Sequence, residues 1–197
     1  MVIMSEEPAV IWHQPVMGGE VLQALHPQPG QTIVDATVGT GGHSFMILPH
    51  LLPSGRLIAI DRDIDALGLA KKRLTEFDPQ VTFIHDNFRN VATILQDRGE
   101  PQVDGILVDL GMSSAQLWWS QRGFSFAHDG PLDMRMDVTQ PPTAEALINE
   151  LPQVELAMLF ETLGEERFAQ RIARHLVQAT HPSLRLISHP YRPGAAG

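Results

Sequence analysis

The stretch Ile33-Val-Asp35-Ala-Thr-Val-Gly39-Thr-Gly41-Gly42-His43-Ser44 constrains this chain more than any other. A short apolar run ends in an acid, a glycine-rich turn follows at once, and helix-compatible residues occupy 45–52. This is the pattern of a strand feeding a tight loop that opens a helix. Glycines let the backbone turn sharply and come close to a ligand. The strand and helix flanks make the pattern more specific than its glycines alone.

Three more apolar runs end in or beside acids or polar turns. Residues 31–35, 56–61, 81–85 and 105–109 are predicted strands. Between them, residues 64–77 carry Leu67, Ala70, Leu74 and Phe77 at helical spacing, and 91–98 carry Val91, Ile94 and Leu95. A helix at 19–25 precedes the first strand, with Pro27 and Pro29-Gly30 closing it. Strands alternating with helices predict an α/β fold, a doubly wound parallel sheet. Ligands of such sheets lie at the carboxyl ends of the strands. Asp35, Asp61, Asp86 and Asp109 all fall at or just past those ends.

Beyond Asp109 the alternation stops. Residues 110–137 are rich in Gly, Ser, Asp and Met and predict a structured loop. Two helical segments follow, one with Leu156, Leu159, Phe160 and Leu163, the other with Phe168, Ile172 and Leu176. An all-α appendage is expected, with its boundary within residues 110–140.

With no cysteine, a disulfide framework, a thiolate zinc site and a cysteine nucleophile are excluded. The nine histidines are scattered without ligand spacing, so no metal site is expected. No apolar run is long enough to span a bilayer. The first residues, with Glu6, Glu7 and Pro8, make a poor signal peptide, and the cytoplasm is the expected compartment. The net charge of −9 argues against a basic nucleic-acid coat but leaves room for a local basic patch.

Asp61 lies about twenty residues past the loop, where a carboxylate can accept both ribose hydroxyls of an adenosine-containing cofactor; the plainer reading is a helix cap. The third glycine of G-x-G-x-x-G is replaced by Ser44, and Asp35 directly before the loop would repel a pyrophosphate. A rim of Asp35, Asp61 and Asp109 suits the sulfonium and ammonium of S-adenosylmethionine better than NAD. A nicotinamide-dependent oxidoreductase is therefore the weaker alternative. His43 fits either the cofactor or a helix cap, and Phe88 either an adenine contact or the core. The segment from Asp109 to Gln116 offers Gly111, Ser113, Ser114 and Gln116 to a ligand at the fourth strand's end, or is simply a polar loop. Trp118 and Trp119 suit stacking on a base or packing at a domain junction. Arg122 and Arg135 suit phosphates or ion pairs with Asp129, Asp133 or Asp137. Arg167, Arg171 and Arg174 suit RNA phosphates or a solvated face balanced by Glu165 and Glu166.

Taken together, His13-Gln-Pro-Val16, the Asp35–Ser44 loop, Ala59-Ile-Asp-Arg-Asp63, Asp109-Leu-Gly-Met-Ser-Ser-Ala-Gln116, Arg122-Gly-Phe-Ser-Phe126, Asp129-Gly-Pro-Leu-Asp-Met-Arg-Met-Asp137 and Gly164-Glu-Glu-Arg-Phe168 resemble the bacterial 16S ribosomal RNA cytosine-N4-methyltransferase family (RsmH, also called MraW). The resemblance runs over residues 13–176. It implies a Rossmann-like class I S-adenosylmethionine-dependent methyltransferase sheet with an inserted all-α domain. It also implies methyl transfer to the exocyclic N4 of a cytidine in the small-subunit decoding region, with 16S ribosomal RNA or the small subunit as partner. Carried onto matching positions, the cofactor contacts are Gly41, Gly42, His43, Asp61, Phe88, Asp109 and Gln116; no catalytic residue is assigned. Family members continue with further strands and a Phe-His-Ser-Leu-Glu-type loop that this sequence lacks. The expected organisation is therefore a cofactor-binding core over 1–112, a partial helical substrate-recognition domain over 113–181, and a non-family tail over 182–197, the fold being incomplete at the C-terminus. The alternative is a remnant that binds S-adenosylmethionine or a partner without turnover.

Overall fold

Apolar residues facing both ways along the strands build the centre of the first unit. In a computed structural model, described over residues 15–113, 116–117, 119–125, 129–179 and 187–188, the chain divides into two compact units, Met1–Ser114 and Ala115–Gly197. The first unit holds α1 (Gly18–Leu25), β1 (Thr32–Asp35), α2 (Gly42–Leu51), β2 (Arg56–Asp61), α3 (Ile64–Arg73), β3 (Val81–His85), α4 (Val91–Asp97) and β4 (Gly105–Leu107). The four strands are parallel in the order β3-β2-β1-β4. Ile33, Leu57 and Ala59 face α1, α2 and α3, packed against Ile47, Leu48, Leu51, Leu67, Ala70 and Leu74. Their neighbours Val34, Ile58 and Ile60 face the other way, against Ile94 and Leu95 of α4. Both faces are therefore apolar, as a sheet with helical crossovers requires.

The helices end where the sequence dictates. Asp63 accepts hydrogen bonds from the amides of Asp65 (3.0 Å) and Ala66 (3.3 Å), capping α3, and Lys71, Lys72 and Arg73 occupy its last turn. Instead of one helix over 64–77, α3 stops at Arg73 and a 3-10 turn over Thr75–Phe77 follows. The expected apolar face is kept, since Leu67, Ala70, Leu74 and Phe77 are all buried.

β4 is shorter than its apolar run, ending at Leu107 rather than Asp109. It lies at the sheet's edge and, among the described residues, pairs only with β1. Leu107 packs with the face covered by α1, α2 and α3, whereas Ile106 points to the opposite face, where α4 packs, and is 47% exposed. Val108 and Leu110 beyond it are also exposed.

In the second unit, α5 (Ala144–Glu150) starts at Thr143, whose hydroxyl accepts the Ala146 amide at 3.0 Å. It is followed by α6 (Gln153–Thr162), α7 (Ala169–Ala179) and a small antiparallel pair, β5 (Gly130–Pro131) with β6 (Ile187–Ser188). Leu156 and Ala157 of α6 and Ala173 of α7 are buried together, with Phe160 and Leu176 packed beside them. Four of the apolar positions singled out by spacing lie outside this core: Leu159 and Ile172 are only partly buried, Leu163 is 80% exposed and Phe168 42%. The positions that seat α7 are the small Ala169 and Ala173, which allow close approach of the helices. Arg135 closes a bidentate pair with Asp133 (2.9 and 2.6 Å), and buried Arg122 donates to the Met136 carbonyl at 2.7 Å. Both arginines are therefore built into the 122–140 loop and do not present themselves to phosphates. His13, Gln14, Ser114, Trp118 and Phe126 lie outside the described residues, as does the proposed tail apart from residues 187 and 188.

An edge strand with an apolar outer side is a template for association. Ile106→Lys is expected to suppress concentration-dependent self-association of this 197-residue chain, seen by light scattering. Because Ile106 is half exposed, thermal stability should change by no more than ~0.5 kcal/mol. Unchanged association in a folded variant would show that the β4 face is not the sticky one.

Candidate cofactor site

β1, β2 and β3 advance in one direction across the sheet, and β4 returns to the other side of β1. The crevice between the carboxyl ends of β1 and β4 is thus the topological switch point, where such sheets bind ligands. Asp35 and Thr37 stand at the end of β1, Asp61 at the end of β2, and Asp109 just past β4.

Asp35 ends β1 with its side chain only 1% exposed. Its carboxylate accepts the Ser44 hydroxyl at 2.6 Å and the Thr37 amide at 3.2 Å. Burial raises its pKa from 3.8 to about 6, against the lowering effect of those two hydrogen bonds. This corrects the expected acidic rim, because Asp35 lies behind the loop and faces Ser44. It also explains the missing third glycine. A glycine at 44 would leave a buried carboxylate without its shortest donor, and Ser44 is itself fully buried.

The loop needs left-handed backbone at Gly39 (φ 52°) and Gly41 (φ 82°). A Cβ at Gly41 would come within 3.4 Å of Ala70 on α3 and of Leu74 just past its end, so this glycine seats the loop against a helix. At Gly39 a Cβ would meet only the Thr37 carbonyl, at 3.9 Å, leaving open space above the backbone for a ligand. A Cβ at Gly42 would come within 3.3 Å of Pro15.

Asp61 faces the loop from β2. One carboxylate oxygen accepts the Gly39 amide at 2.7 Å and the other the Asp63 amide at 2.9 Å. The Asp61 carbonyl accepts the Asp86 amide at 3.1 Å, tying in the end of β3. The Arg62 amide also bonds this carboxylate, so of its roughly four acceptor sites three are met by backbone amides, and what remains can meet a ribose hydroxyl. Burial raises the Asp61 pKa, opposed by the amide hydrogen bonds. Past β3, Phe88 opens a short 3-10 turn capped by Asn87 and is 39% exposed, so it is not a core residue.

Asp109 donates its amide to the Thr37 hydroxyl at 2.7 Å, joining the end of β4 to the loop. Its carboxylate lies 3.7 Å from His43 Nδ1, while His43 Nε2 is 2.9 Å from the Val16 carbonyl. His43 is 8% exposed and links three segments, which is more than a surface cap does. The structure thus brings Gly41, Gly42, His43, Asp61 and Asp109 around one loop, with Phe88 beyond the neighbouring strand. Gln116 belongs to the second unit and is buried there. Thr37 was not anticipated; the signal was a hydroxyl two residues past the strand's terminal acid. Among the described residues, no three His, Asp or Glu side chains group as metal ligands, and no helix is long and apolar enough to cross a membrane.

The buried carboxylate makes stability depend on pH. Well below its ordinary 3.8, Asp35 is protonated whether the chain is folded or unfolded. Between its ordinary 3.8 and about 6 the unfolded chain loses that proton while the folded chain keeps it, so rising pH destabilises the fold. At ~1.4 kcal/mol per pH unit, the loss relative to Asp35→Asn should be on the order of 3 kcal/mol from pH 4 to pH 7. Urea denaturation of both chains across that range checks it, and a difference that does not vary with pH would refute it.

Comparison with known proteins bears on the same residues. Residues 10–185 match the model of the MraW methylase family. A ribosomal RNA small subunit methyltransferase H from Syntrophotalea carbinolica is 48% identical over 175 residues, covering 88% of this chain and 56% of the relative. Proteins of the same name from Symbiobacterium thermophilum (47% identical, 85% of this chain, 52% of the relative) and Coxiella burnetii (46%, 85% and 54%) give the same picture. The chain spans about half the length of these curated relatives. On the extent of the match and its level of identity, this chain belongs to the MraW methylase family.

Proposed function

We propose that this chain binds S-adenosylmethionine at the switch point of its sheet and serves methyl transfer to small-subunit ribosomal RNA. The finer reading is methylation of the exocyclic N4 of a cytidine in the decoding region of 16S ribosomal RNA, in the cytoplasm. The observation that carries it is the glycine loop latched to Asp61, with a spare carboxylate acceptor on one side and open space above Gly39 on the other. The relatives are named as small-subunit ribosomal RNA methyltransferases, which supports the substrate.

The residues present fit the cofactor. Asp61 would accept a ribose hydroxyl, and Phe88 would cover an adenine face. Gly41, Gly42 and His43 would line the loop side. Asp109 would face the cationic methionine end, and Gln116 is assigned to that end by family resemblance alone. When bound, S-adenosylmethionine supplies a methyl group made electrophilic by its sulfonium. An exocyclic amine is a weak nucleophile, since its lone pair is delocalised into the ring. The protein must therefore hold the amine in line and accept a proton. Asp109 is the candidate acceptor, with a half-exposed carboxylate whose backbone is fixed by Thr37. The sequence there is Asp109-Leu-Gly-Met112, without the Pro-Pro-aromatic pattern common in amino-methylases.

A second reading has one observation in its favour, the exposed Ile106, Val108 and Leu110 beside the site. It holds that the chain binds the cofactor without turnover.

Calorimetric titration with S-adenosylmethionine tests the first step. Saturable binding is expected, weakened about tenfold or more by Asp61→Ala, since a hydrogen bond to a charged group contributes ~1.5–3 kcal/mol. A folded chain that fails to bind would sink the cofactor reading. Incubation with undermethylated small subunits and labelled cofactor then separates turnover from binding alone. If methyl transfer is seen, Asp109→Asn should bind cofactor yet lose ~100-fold or more in rate; normal turnover would remove Asp109 as the proton acceptor.

A further inference from the structure

The Gly164–Phe168 turn contains a feature that the cofactor site does not use. Phe168 is exposed at the start of α7, and two guanidiniums lie over its ring, Arg167 at 4.7 Å and Arg171 at 4.5 Å from the centroid. The turn is built to hold it there. Gly164 sits where a Cβ would come within 2.8 Å of the Phe160 carbonyl, and Glu165 adopts left-handed backbone (φ 51°). Glu166 closes the turn, its amide donating to the Phe160 carbonyl at 3.0 Å and its carboxylate accepting the Phe168 amide at 2.7 Å.

The nearby acids do not hold the arginines in close ion pairs. Glu161, Glu165 and Glu166 share a shallow depression with Arg167, yet among the described residues neither Arg167 nor Arg171 forms an ion pair. The expected solvated face beside Glu165 and Glu166 is present, with the arginines exposed and not locked into close ion pairs. Arg174, three residues past Arg171 on α7, adds a further exposed cation on that side of the helix.

We propose that Arg167, Phe168 and Arg171 form a contact surface for single-stranded RNA, a deepening that rests on the reading of the chain as a ribosomal RNA methyltransferase. A half-exposed phenyl ring with two exposed guanidiniums beside it offers what unpaired nucleotides bind. Bases stack on aromatic and guanidinium planes, and the N–H edges of the arginines take phosphate oxygens. An acidic peptide would use the charges but not the ring, and it would meet the same three glutamates with no stacking to offset the repulsion. The negative body of the chain confines RNA contact to such local patches.

The test is fluorescence anisotropy with a labelled single-stranded RNA of mixed sequence, titrated at several salt concentrations, with S-adenosylmethionine calorimetry on each variant. Arg167→Gln/Arg171→Gln should weaken RNA binding tenfold or more and lower the salt slope by ~1.4, two phosphate contacts at ~0.7 each. The double Lys variant should keep the slope, because it keeps the charge. Phe168→Ala should weaken binding about fivefold without changing the slope. All three side chains are exposed, so the fold and cofactor affinity should be unchanged. A wild-type chain that binds cofactor but not RNA, or variants that bind RNA as the wild type does, would overturn the proposal and leave the cofactor reading standing. RNA binding with these dependences but without cofactor binding would sink the cofactor reading alone.

Discussion

Two buried or half-buried carboxylates hold the glycine loop, and the site depends on them. Asp35 fixes it from behind through Ser44 and Thr37, and Asp61 fixes it from the neighbouring strand through Gly39. A loop with two left-handed glycines is entropically costly to order, so it needs such anchors. Ionised Asp35 costs the fold roughly 3 kcal/mol at neutral pH, about what one fully buried Leu or Ile contributes. Ile33, Ile47, Leu48 and Leu57, all at 0% exposure in the same core, make that cost bearable.

The anchors also tie the strand ends together. Thr37 bonds the amide of Asp109, the Asp61 carbonyl bonds the amide of Asp86, and Val38 donates to the Ile60 carbonyl at 3.0 Å. The carboxyl ends of β1, β2 and β4 are thus joined through one loop, and β3 is tied to β2 through the Asp61 carbonyl. Disturbing Asp61 is expected to move the loop as well as remove the ribose acceptor.

Much of the first unit was legible because strand burial on both faces writes itself as continuous apolar runs; Arg56–Asp61 and Val81–His85 fall where the pattern put them. The end of β4 was not, since a run cannot say that its strand has a neighbour on only one side. The burial of Asp35 was hidden for a related reason. An acid before a glycine loop reads as exposed until Ser44, nine residues on, is recognised as its donor. In the helical unit, spacing named Leu163 and Phe168 as core because they continue an apolar period. The turn between α6 and α7 rotates both outward, and alanines take the buried positions.

Moving Asp35 off the rim removes part of the charge argument for a sulfonium cofactor, but the loop supplies a replacement. A pyrophosphate needs free backbone N–H groups from a glycine loop. Here the amides of Thr37, Val38, Gly39 and Gly41 are all used internally, by Asp35, the Ile60 carbonyl, Asp61 and the Val38 carbonyl. What remains toward the crevice is the first turn of α2 on one side and the carboxylates of Asp61 and Asp109 on the other. That combination suits a zwitterion with a carboxylate at one end and a cation at the other, and a diphosphate would meet two negative charges. The preference for an amino-acid-like cofactor thus follows from which donors the fold has already used, and it survives the loss of the acid that first indicated it.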